Sequence, residues 1–261
     1  MAYVIAVSFE KGGTGKSTTA LNVAAAFAEL GQRTLLIDLD PSQSLSRMLG
    51  ATDETFETTL LDVLHPEKGL QPIHVAIQQL KNYPNLDFVP AHTLLTELEI
   101  LMGEPEWEHR LRLALEPVQD AYKSIILDCP PGLGFFPTNA FIAADLILIP
   151  VQTEFIPFTS LHKMGSYLLT FPEEYRPESF HLIGTMYDKR TRQAREVVEE
   201  LQKTYPVAFS KHLIPRTVGF SESNASGEPF IHFNSDHAGA RAYRGVAEEI
   251  ISIWENRNAP Q

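Results

Sequence analysis

Short apolar runs alternate with segments of helical periodicity along most of the 261-residue chain. The runs are apolar on both faces, which is typical of central strands in a parallel sheet. Seven strands are predicted, over Tyr3–Ser8, Thr34–Asp38, Leu86–Pro90, Ser124–Asp128, Leu146–Pro150, Phe180–Thr185 and His212–Ile214. Their alternation with helices predicts an α/β fold, a doubly wound and mostly parallel sheet with helices on both faces, in a single domain over residues 1–261.

Two segments between these strands have the clearest helical pattern. Ser17–Leu30 is predicted as a helix that ends at Gly31, and Thr191–Lys203 as a polar helix with one apolar stripe. The stripe consists of Ala194, Val197, Val198 and Leu201. Ligands of doubly wound sheets bind at the carboxyl ends of the strands. We therefore expect the functional residues directly after the first, second, fourth and fifth strands.

The composition is that of a globular protein with a sizeable core, since 44% of the residues are apolar. The sequence contains no apolar run of about 18 residues, the length that a membrane-spanning helix requires. Its first residues resemble a strand rather than a signal peptide. Cys129 is the only cysteine, which excludes an internal disulfide and fits a reducing compartment. We therefore expect a cytoplasmic protein.

The formal net charge of −12 is unevenly distributed along the chain. Residues 1–160 carry 9 basic and 20 acidic side chains, whereas residues 161–261 carry 12 basic and 13 acidic ones. A polyanion therefore approaches the C-terminal part more easily than the N-terminal part. Acidity in the N-terminal part is interpreted as an aid to solubility.

A glycine-rich loop joins the first predicted strand to the first predicted helix, the context that a phosphate-binding loop requires. It reads Glu10-Lys11-Gly12-Gly13-Thr14-Gly15-Lys16-Ser17-Thr18. Glycines let backbone N–H groups turn towards phosphate oxygens, and the helix start adds the positive end of its dipole. We expect residues 12–18 to bind phosphates, Lys16 to reach the β- and γ-phosphates, and the Ser17 hydroxyl to ligate Mg²⁺.

Carboxylates follow two further predicted strands. Asp38 and Asp40 end the second strand, and side chains two residues apart on a strand point to the same side. Asp128 ends a buried apolar strand, which is the arrangement of a Walker B aspartate. We predict that Asp38, Asp128 and Ser17 organise the Mg²⁺, and that Asp40 orients the attacking water.

The loop departs from the standard Walker A pattern, which requires glycine at the position of Glu10. It has an additional lysine, Lys11. Because Lys16 already reaches the γ-phosphate of its own subunit, the second cation is expected to contact the nucleotide of another subunit. With these residues the loop resembles the deviant Walker A of the ParA/MinD superfamily of P-loop ATPases, whose extra lysine reaches into the opposite subunit. The resemblance implies a P-loop NTPase fold of SIMIBI type, slow Mg²⁺-dependent ATP hydrolysis, and a homodimer formed with ATP. It also implies catalytic roles for Lys11, Lys16 and Asp40.

The resemblance covers roughly residues 2–255. The segment around Asp40 resembles switch I of the family, although Ser42-Gln43-Ser44 departs from the Gln-Gly-Asn of many relatives. Asp128–Gly132 resembles switch II, with Cys129 as a small packed residue and a Gly132 amide expected to sense the γ-phosphate. Segments containing Met186 and Pro215 resemble those beside the base, so both are predicted to contact the nucleotide. Neither N-K-x-D nor T-K-x-D is present to read guanine, which favours adenine.

Seven cations lie between residues 189 and 216, namely Lys189, Arg190, Arg192, Arg195, Lys203, Lys211 and Arg216. Clustered cations are sufficient to bind DNA without sequence preference. Arg190 matches an arginine that ParA relatives use for DNA, and we predict DNA contacts for Lys189, Arg190, Arg192 and Arg216. A second family arginine falls on Gly219 here, so weaker binding is expected and Gly219→Arg is expected to strengthen it. The alternative is a solvated helix face on which glutamates alternate with the cations.

These features predict an ATP-driven switch that partitions plasmid or chromosome DNA, binds the nucleoid in its ATP form and is stimulated by a ParB-like or cargo-adaptor protein. Two alternatives stay open, the positioning of a protein cargo and membrane positioning in the manner of MinD. MinD-type proteins end in a basic amphipathic helix. Residues 246–255 have an acidic polar face instead and are predicted to dock on the core, so no membrane contact is expected. The chain also starts directly at its first strand, without a helix-turn-helix before it.

Overall fold

The computed structural model describes residues 1–51, 55–65, 71–101, 107–154, 158–173 and 179–258. The strands in these residues are β1 Tyr3–Val7, β2 Thr34–Asp38, β3 Gln78–Gln79, β4 Leu86–Val89, β5 Ser124–Asp128, β6 Leu146–Gln152 and β7 Ser179–Thr185. They form one sheet in the order β3-β4-β2-β5-β1-β6-β7. Every pairing is parallel except the pairing of β3 with β4.

The helices in the described residues connect these strands and follow the last one. They are α1 Lys16–Glu29, α2 Ser44–Met48, α3 Leu60–Leu64, α4 Leu95–Leu101, α5 Arg110–Leu115, α6 Phe135–Ala143, α7 Phe158–Leu168, α8 Arg192–Thr204, α9 Gly219–Ser226, α10 Phe230–Phe233 and α11 Ala238–Asn258.

Successive side chains of each strand enter two separate cores, because strand side chains alternate between the faces of a sheet. On one face, Val4 and Ala6 of β1 belong to a core that includes residues of α3 to α8. On the other face, Ile5 and Val7 belong to a core with α1, α2, α10 and α11. The predicted fold is confirmed: the sheet is mostly parallel and helices cover both of its faces.

The two helices with clear sequence patterns form as predicted, with bounds that differ by a residue. Helix α1 ends before Gly31, which has a φ of 77° that favours glycine. Helix α8 begins after Thr191, whose side chain accepts a hydrogen bond from the Ala194 amide at 3.3 Å. The buried residues of α8 are the four of the predicted stripe.

One strand prediction is wrong. His212–Ile214 forms no strand, and only isolated bridges connect the neighbouring Phe209 and Pro215 to the chain around β7. The backbone amides that a strand needs are used elsewhere: the His212 amide donates to Ser210 Oγ at 3.0 Å and the Lys211 amide to Glu249 Oε1 at 3.1 Å. Side-chain acceptors therefore replace the ladder at the start of this segment, whereas at its end the Ile214 amide still donates to the Gly184 carbonyl oxygen of β7 at 2.8 Å. The two-residue edge strand β3 was not predicted.

Candidate functional site

The glycine-rich loop lies between β1 and α1, at the carboxyl end of the sheet. Gly13 and Gly15 have φ values of 73° and 89°, a left-handed conformation that glycine adopts without steric cost. No backbone acceptor among the described residues receives the amides of residues 12–15. Because the space beside these glycines is also open, the loop presents unused N–H groups to a ligand. This arrangement is a backbone nest for an anion.

Lys16 is buried at the first turn of α1. Its ammonium donates to the Lys11 carbonyl oxygen at 3.3 Å, which closes the loop on itself. Burial lowers the pKa of Lys16, although the negative charge of Asp128 opposes this shift. A buried cation at the base of an open nest favours the binding of a polyanionic group. Lys11 itself has an exposed side chain at the outer side of the loop.

Two side chains from distant parts of the chain hold the loop from behind. Gln152, which ends β6, donates to the Gly13 carbonyl oxygen at 2.7 Å. Thr185, which ends β7, donates to the Thr14 carbonyl oxygen at 2.9 Å. Because the loop carbonyls are occupied on this side, its amides are free to face the other way. Sequence reasoning missed both residues, and the one available signal was their position at the carboxyl ends of predicted strands.

Asp128 lies opposite Asp38 in the register of β5 and β2, and each of these aspartates ends its strand. Asp128 is fully buried, and neither of its carboxylate oxygens has a hydrogen-bond partner in the described residues. Burial and the neighbouring Asp38 charge raise the pKa of Asp128 well above its usual range, although the nearby Ser17 hydroxyl acts to lower it. A buried carboxylate with so few hydrogen bonds is rare in native proteins, and its chemistry fits the binding of a cation.

Asp38 is buried as deeply as Asp128, but both of its oxygens are used. Oδ1 accepts the Asp40 amide at 3.0 Å, and Oδ2 accepts the Ser46 amide at 2.8 Å and the Ser46 hydroxyl at 2.7 Å. Burial raises the pKa of Asp38 to about 7, against the lowering effect of these hydrogen bonds. Asp38 therefore fixes the segment from Asp40 to α2 through these hydrogen bonds.

The donor set at this edge of the sheet fits Mg²⁺. Asp128 offers an unused anionic oxygen pair, and Ser17 carries a hydroxyl at the start of α1. The described residues contain no group of three or more His, Cys, Asp or Glu side chains that could hold a metal. Mg²⁺ commonly combines one or two carboxylates with water and substrate phosphates.

Asp40 is half-buried, and its Oδ1 accepts the Ser42 amide at 2.8 Å. Its charge acts on Lys16 and on Asp128, so these groups share one electrostatic environment. The Gly132 amide, expected to sense a phosphate, donates to the Glu10 carbonyl oxygen at 3.0 Å. Cys129 is buried, and burial raises the pKa of its thiol, so it is a packed residue rather than a nucleophile.

A cavity of about 320 Å³ opens beside the loop. Both residues predicted to contact the base, Met186 and Pro215, line it, and Met186 has a left-handed φ of 54°. The other lining residues are Gly15, Thr18, Thr185, Ile214, Arg216, Thr217, Phe220, Ser221, Asn224 and Tyr243. Phe220, Asn224 and Tyr243 come from α9 and α11 and were not predicted. The cavity and the loop form one continuous site with an anion-binding end and an apolar end.

Comparisons with known proteins agree with this geometry. The model of the AAA domain family AAA_31 matches residues 2–178. The chain is 34% identical over 261 residues to the chromosome partitioning protein ParA of Caulobacter vibrioides, covering 98% of this chain and 96% of ParA. It is also 34% identical over 255 residues to the sporulation initiation inhibitor protein Soj of Bacillus subtilis, covering 97% and 99% of the two chains. The chain belongs to the ParA/MinD superfamily.

A solved structure has a similar fold over nearly the whole chain. It is a cobyrinic acid a,c-diamide synthase from Mycobacterium smegmatis with bound ADP and magnesium, with a TM-score of 0.83 and 27% identity. The match covers 99% of this chain and 97% of that protein. The deviant phosphate loop of the superfamily is therefore set in the fold that was predicted for it.

The residues predicted to contact DNA all have exposed side chains in this member of the superfamily. Each arginine among them has an acidic partner: Arg190 pairs with Asp188, Arg192 with Glu196, and Arg216 with Glu154. Lys189 is exposed, and its carbonyl oxygen accepts a hydrogen bond from Arg195 at 2.8 Å. The structure thus brings the cations to one region around the start of α8 but surrounds them with carboxylates.

Gly219 does not lie on the surface where the sequence comparison placed it. It is buried at the start of α9, and a Cβ atom there would be 2.8 Å from Phe230 Cε2. The basis of the expectation that Gly219→Arg strengthens DNA binding is therefore weakened, because a side chain at this position must displace Phe230. The neighbouring Val218 is 76% exposed and is the surface position of this turn.

The C-terminal helix α11 docks on the core, as its sequence predicted. Glu249 points to the protein rather than to solvent and accepts hydrogen bonds from His181 Nε2 at 3.2 Å and Ser210 Oγ at 2.6 Å. Burial raises the pKa of Glu249, but these hydrogen bonds outweigh it and hold the pKa at about 2. No helix of the described residues is long and apolar enough to cross a membrane.

Proposed function

We propose that the chain is a Mg²⁺-dependent ATPase that dimerises with ATP and thereby partitions or positions DNA. One observation carries the proposal: a buried lysine and a buried, unpartnered aspartate flank an open nest of backbone amides at the carboxyl end of the sheet. This is the equipment for binding a nucleotide phosphate chain with a metal ion. The relative from M. smegmatis holds ADP and magnesium, and the relative from C. vibrioides is a chromosome partitioning protein.

The residues divide the chemistry of phosphoryl transfer among them. The amides of residues 12–18 and the Lys16 ammonium bind the phosphate oxygens. Asp128 and Ser17 are the candidate holders of Mg²⁺, with Asp38 behind them, and the bound ion neutralises phosphate charge. Asp40, whose carboxylate is half-buried beside Lys16, positions the attacking water. Met186 and Pro215 line the apolar cavity, which we assign to the base of ATP.

Steady-state ATPase assays on Lys16→Ala and Asp40→Ala test the enzyme assignment. Lys16→Ala is expected to lose nucleotide binding, because the buried cation of the nest is removed. Asp40→Ala is expected to bind ATP normally and to lose hydrolysis, because only the orientation of water is affected. Unchanged hydrolysis in both variants would refute the assignment. The intrinsic turnover is expected to be slow and to rise with a ParB-like or cargo-adaptor protein.

The DNA part of the proposal depends on the cations at the start of α8. They are exposed, and a dimer places two such sets on one particle, so that weak contacts add and the affinity becomes ATP-dependent. A mobility-shift assay with unrelated duplexes, ATP and the Asp40→Ala variant tests it. Binding is expected to weaken steeply with salt, since counterion release drives it. Arg190→Glu is expected to abolish the shift and to leave hydrolysis of ATP intact. In the cell, the ATP form is then nucleoid-associated in the cytoplasm.

A protein cargo is the second candidate, and a specific observation favours it. The three arginines predicted to contact DNA, Arg190, Arg192 and Arg216, are each paired with a carboxylate, and Gly219, the position that the resemblance matches to a second family arginine, is buried. Absence of any DNA shift at low salt, with hydrolysis retained, would assign the switch to a protein cargo. Membrane positioning of the MinD type is the third, and liposome flotation with ATP is expected to be negative because α11 docks on the core.

A further inference from the structure

Two of the seven cations between residues 189 and 216, Arg190 and Arg216, make close contacts with carboxylates of the same chain. Arg190 Nε donates to Asp188 Oδ1 at 2.9 Å, and Arg190 Nη2 donates to Asp188 Oδ2 at 2.7 Å, which is a bidentate pair. Arg216 Nη1 donates to Glu154 Oε1. Arg190 and Arg216, two of the arginines predicted to contact DNA, are thus each paired with a carboxylate of the same chain.

These two ion pairs belong to one electrostatic group. The hydrogen bonds from Arg190 lower the pKa of Asp188 to about 2, and the Arg216 charge contributes to the same shift. Asp188 is therefore ionised at any physiological pH. Its charge is present whenever a DNA phosphate approaches Arg190, and a phosphate must displace it to make the same contact.

The Arg216–Glu154 pair also lies next to the nucleotide cavity. Arg216 lines this cavity together with Met186 and Pro215, and its amide donates to the Tyr187 carbonyl oxygen at 3.0 Å. Glu154 follows Gln152, which holds the phosphate loop through the Gly13 carbonyl oxygen, by two residues. The pair therefore joins the edge of the predicted ATP site to the predicted DNA surface.

We propose that Glu154 and Asp188 are internal counter-ions that mask Arg216 and Arg190 from DNA phosphates, and so keep the DNA affinity of the monomer low. This inference rests on the proposed function, because it concerns the regulation of the same DNA surface. An arginine that already holds a carboxylate releases fewer counterions when it binds a phosphate, which lowers the gain from DNA binding. Exposed ion pairs are weak, so phosphates on a long duplex still displace them.

Masking gives the ATP requirement a physical origin. One masked patch binds weakly, whereas two patches on an ATP dimer bind the same duplex and multiply their effect. No rearrangement of the cations is required for this. Removal of the internal carboxylates is then expected to make DNA binding less dependent on ATP.

Fluorescence anisotropy with two unrelated labelled duplexes tests the masking. The variants are Glu154→Gln, Asp188→Asn and the double variant. The control is Glu199→Gln, which removes the same charge from α8, where Glu199 is exposed and forms no ion pair with any described residue. With ADP, each of the first two variants is expected to bind DNA about twofold to fivefold more tightly than wild type, the range that a weak ion pair allows. The control is expected to change less than either.

The salt dependence provides a second readout. Each unmasked arginine is expected to steepen the slope of log affinity against log salt by up to about 0.9, the value for one additional phosphate contact on duplex DNA. Masking would be overturned if Glu199→Gln raised the affinity as much as Asp188→Asn did, since net charge alone would then explain both. It would also be overturned if the first two variants matched wild type. Thermal unfolding of every variant verifies that it is folded.

The failure of the proposed function gives a different result. Wild type and Asp40→Ala with ATP report DNA binding by themselves, without the masking variants. If wild type binds with ATP and the variants equal wild type, only the masking is rejected. If neither wild type nor any variant binds a duplex in any nucleotide state at low salt, DNA binding is rejected and the masking with it. Binding by the variants alone would support the masking and show that wild type is masked completely.

Discussion

At the scale of single residues, the contrast between Asp38 and Asp128 is the most informative feature of the site. Both end neighbouring strands and both are fully buried, so each carries a large desolvation cost when ionised. Ser46 satisfies Asp38 with two hydrogen bonds, while Asp128 has no partner in the described residues. The ionised Asp128 carboxylate therefore destabilises the folded protein, and a bound cation relieves this desolvation cost.

Asp128→Asn tests this stored interaction. In the absence of Mg²⁺ and nucleotide at pH 7.5, the variant is expected to raise the free energy of unfolding by about 1–3 kcal/mol, because a neutral amide costs less to bury than a carboxylate. Raised carboxylate pKa values mean that the folded wild type binds more protons than the unfolded chain. Its stability therefore falls as the pH rises from about 4, the ordinary carboxyl value, towards 7, where Asp38 titrates.

Urea unfolding between pH 5 and pH 8 measures these effects, and the variant is expected to show a flatter pH dependence than wild type. Mg²⁺ with ATP is expected to raise the melting temperature of wild type and to have little effect on Asp128→Asn. A variant that is less stable than wild type without ligand, or that gains as much from Mg²⁺ and ATP, would contradict the role of Asp128.

Gly219 and Val218 are neighbours in sequence with opposite tolerance to substitution. Gly219→Ala places a Cβ atom 2.8 Å from Phe230, which is itself packed against Phe220 at a ring distance of 4.2 Å. We expect a loss of about 1–3 kcal/mol in the free energy of unfolding, typical of overpacking. Phe220 lines the nucleotide cavity, so the affinity for ATP is expected to fall as well.

Val218→Arg is the matched substitution on the surface. Val218 is 76% exposed, so the variant is expected to change the free energy of unfolding by less than about 0.5 kcal/mol. Its new cation lies one residue from the position that carries an arginine in relatives, and it is expected to raise DNA affinity. Thermal unfolding and anisotropy on both variants distinguish the two positions, and equal destabilisation by both would contradict the packing argument.

At the scale of secondary-structure elements, α11 shows how an acidic helix face is divided between solvent and protein. Glu249 joins α11 to β7 through His181, and to the segment after α8 through Ser210 and the Lys211 amide. The segment from Ser210 to Pro215 then turns towards the nucleotide cavity instead of extending as a strand. One carboxylate thus helps to shape the wall of the site.

Glu249→Gln is expected to lower the free energy of unfolding at pH 7 by about 1–3 kcal/mol, because it weakens several charge-assisted hydrogen bonds. The folded pKa of about 2 lies below the ordinary glutamate pKa of 4.5, so this stabilisation is present above about pH 4.5 and is lost as the pH falls towards 2. The difference between wild type and variant is therefore expected to shrink over that window. The control is Glu248→Gln at the exposed neighbouring residue, which is expected to leave the free energy of unfolding nearly unchanged. A constant difference at every pH would contradict the assignment.

At the scale of the whole molecule, the phosphate loop and its exposed Lys11 lie at the carboxyl end of the sheet, where a second subunit is expected to bind. Two bound nucleotides facing each other repel, and a lysine from each subunit relieves that repulsion. Lys11→Ala in the Asp40→Ala background is expected to stay monomeric with ATP, whereas Asp40→Ala alone dimerises. Light scattering measures the mass in both cases.

Lys81→Ala is the control for the loss of a surface lysine. Lys81 is exposed on the connection between β3 and β4, at the amino end of the parallel strands, whereas the phosphate loop lies at their carboxyl end. In the Asp40→Ala background, the Lys81→Ala variant is expected to dimerise with ATP as Asp40→Ala alone does. A Lys11→Ala variant that dimerises equally well, or an Asp40→Ala protein that remains monomeric at saturating ATP, would refute the face-to-face dimer.

The sequence by itself determined the features that depend on local patterns. Strand periodicity predicted six of the strands in the described sheet, and the spacing within residues 10–18 predicted the phosphate loop, because these signals lie within a few neighbouring residues. The aspartates after β2 and β5 were found for the same reason. Each such signal reports a local backbone requirement or a strand end.

The tertiary structure decided what depends on residues far apart in the chain. Gln152 and Thr185 hold the phosphate loop from positions 139 and 171 residues away from their acceptors, and no local pattern identifies them. Packing against Phe230 makes Gly219 an interior residue although its neighbour is exposed. Ser46 and the Asp40 amide give Asp38 its hydrogen bonds, and Asp128 has none of comparable geometry in the described residues, a difference that two similar strand ends do not reveal. Burial and hydrogen bonding are set by long-range contacts, and these contacts assign different roles to residues of one type.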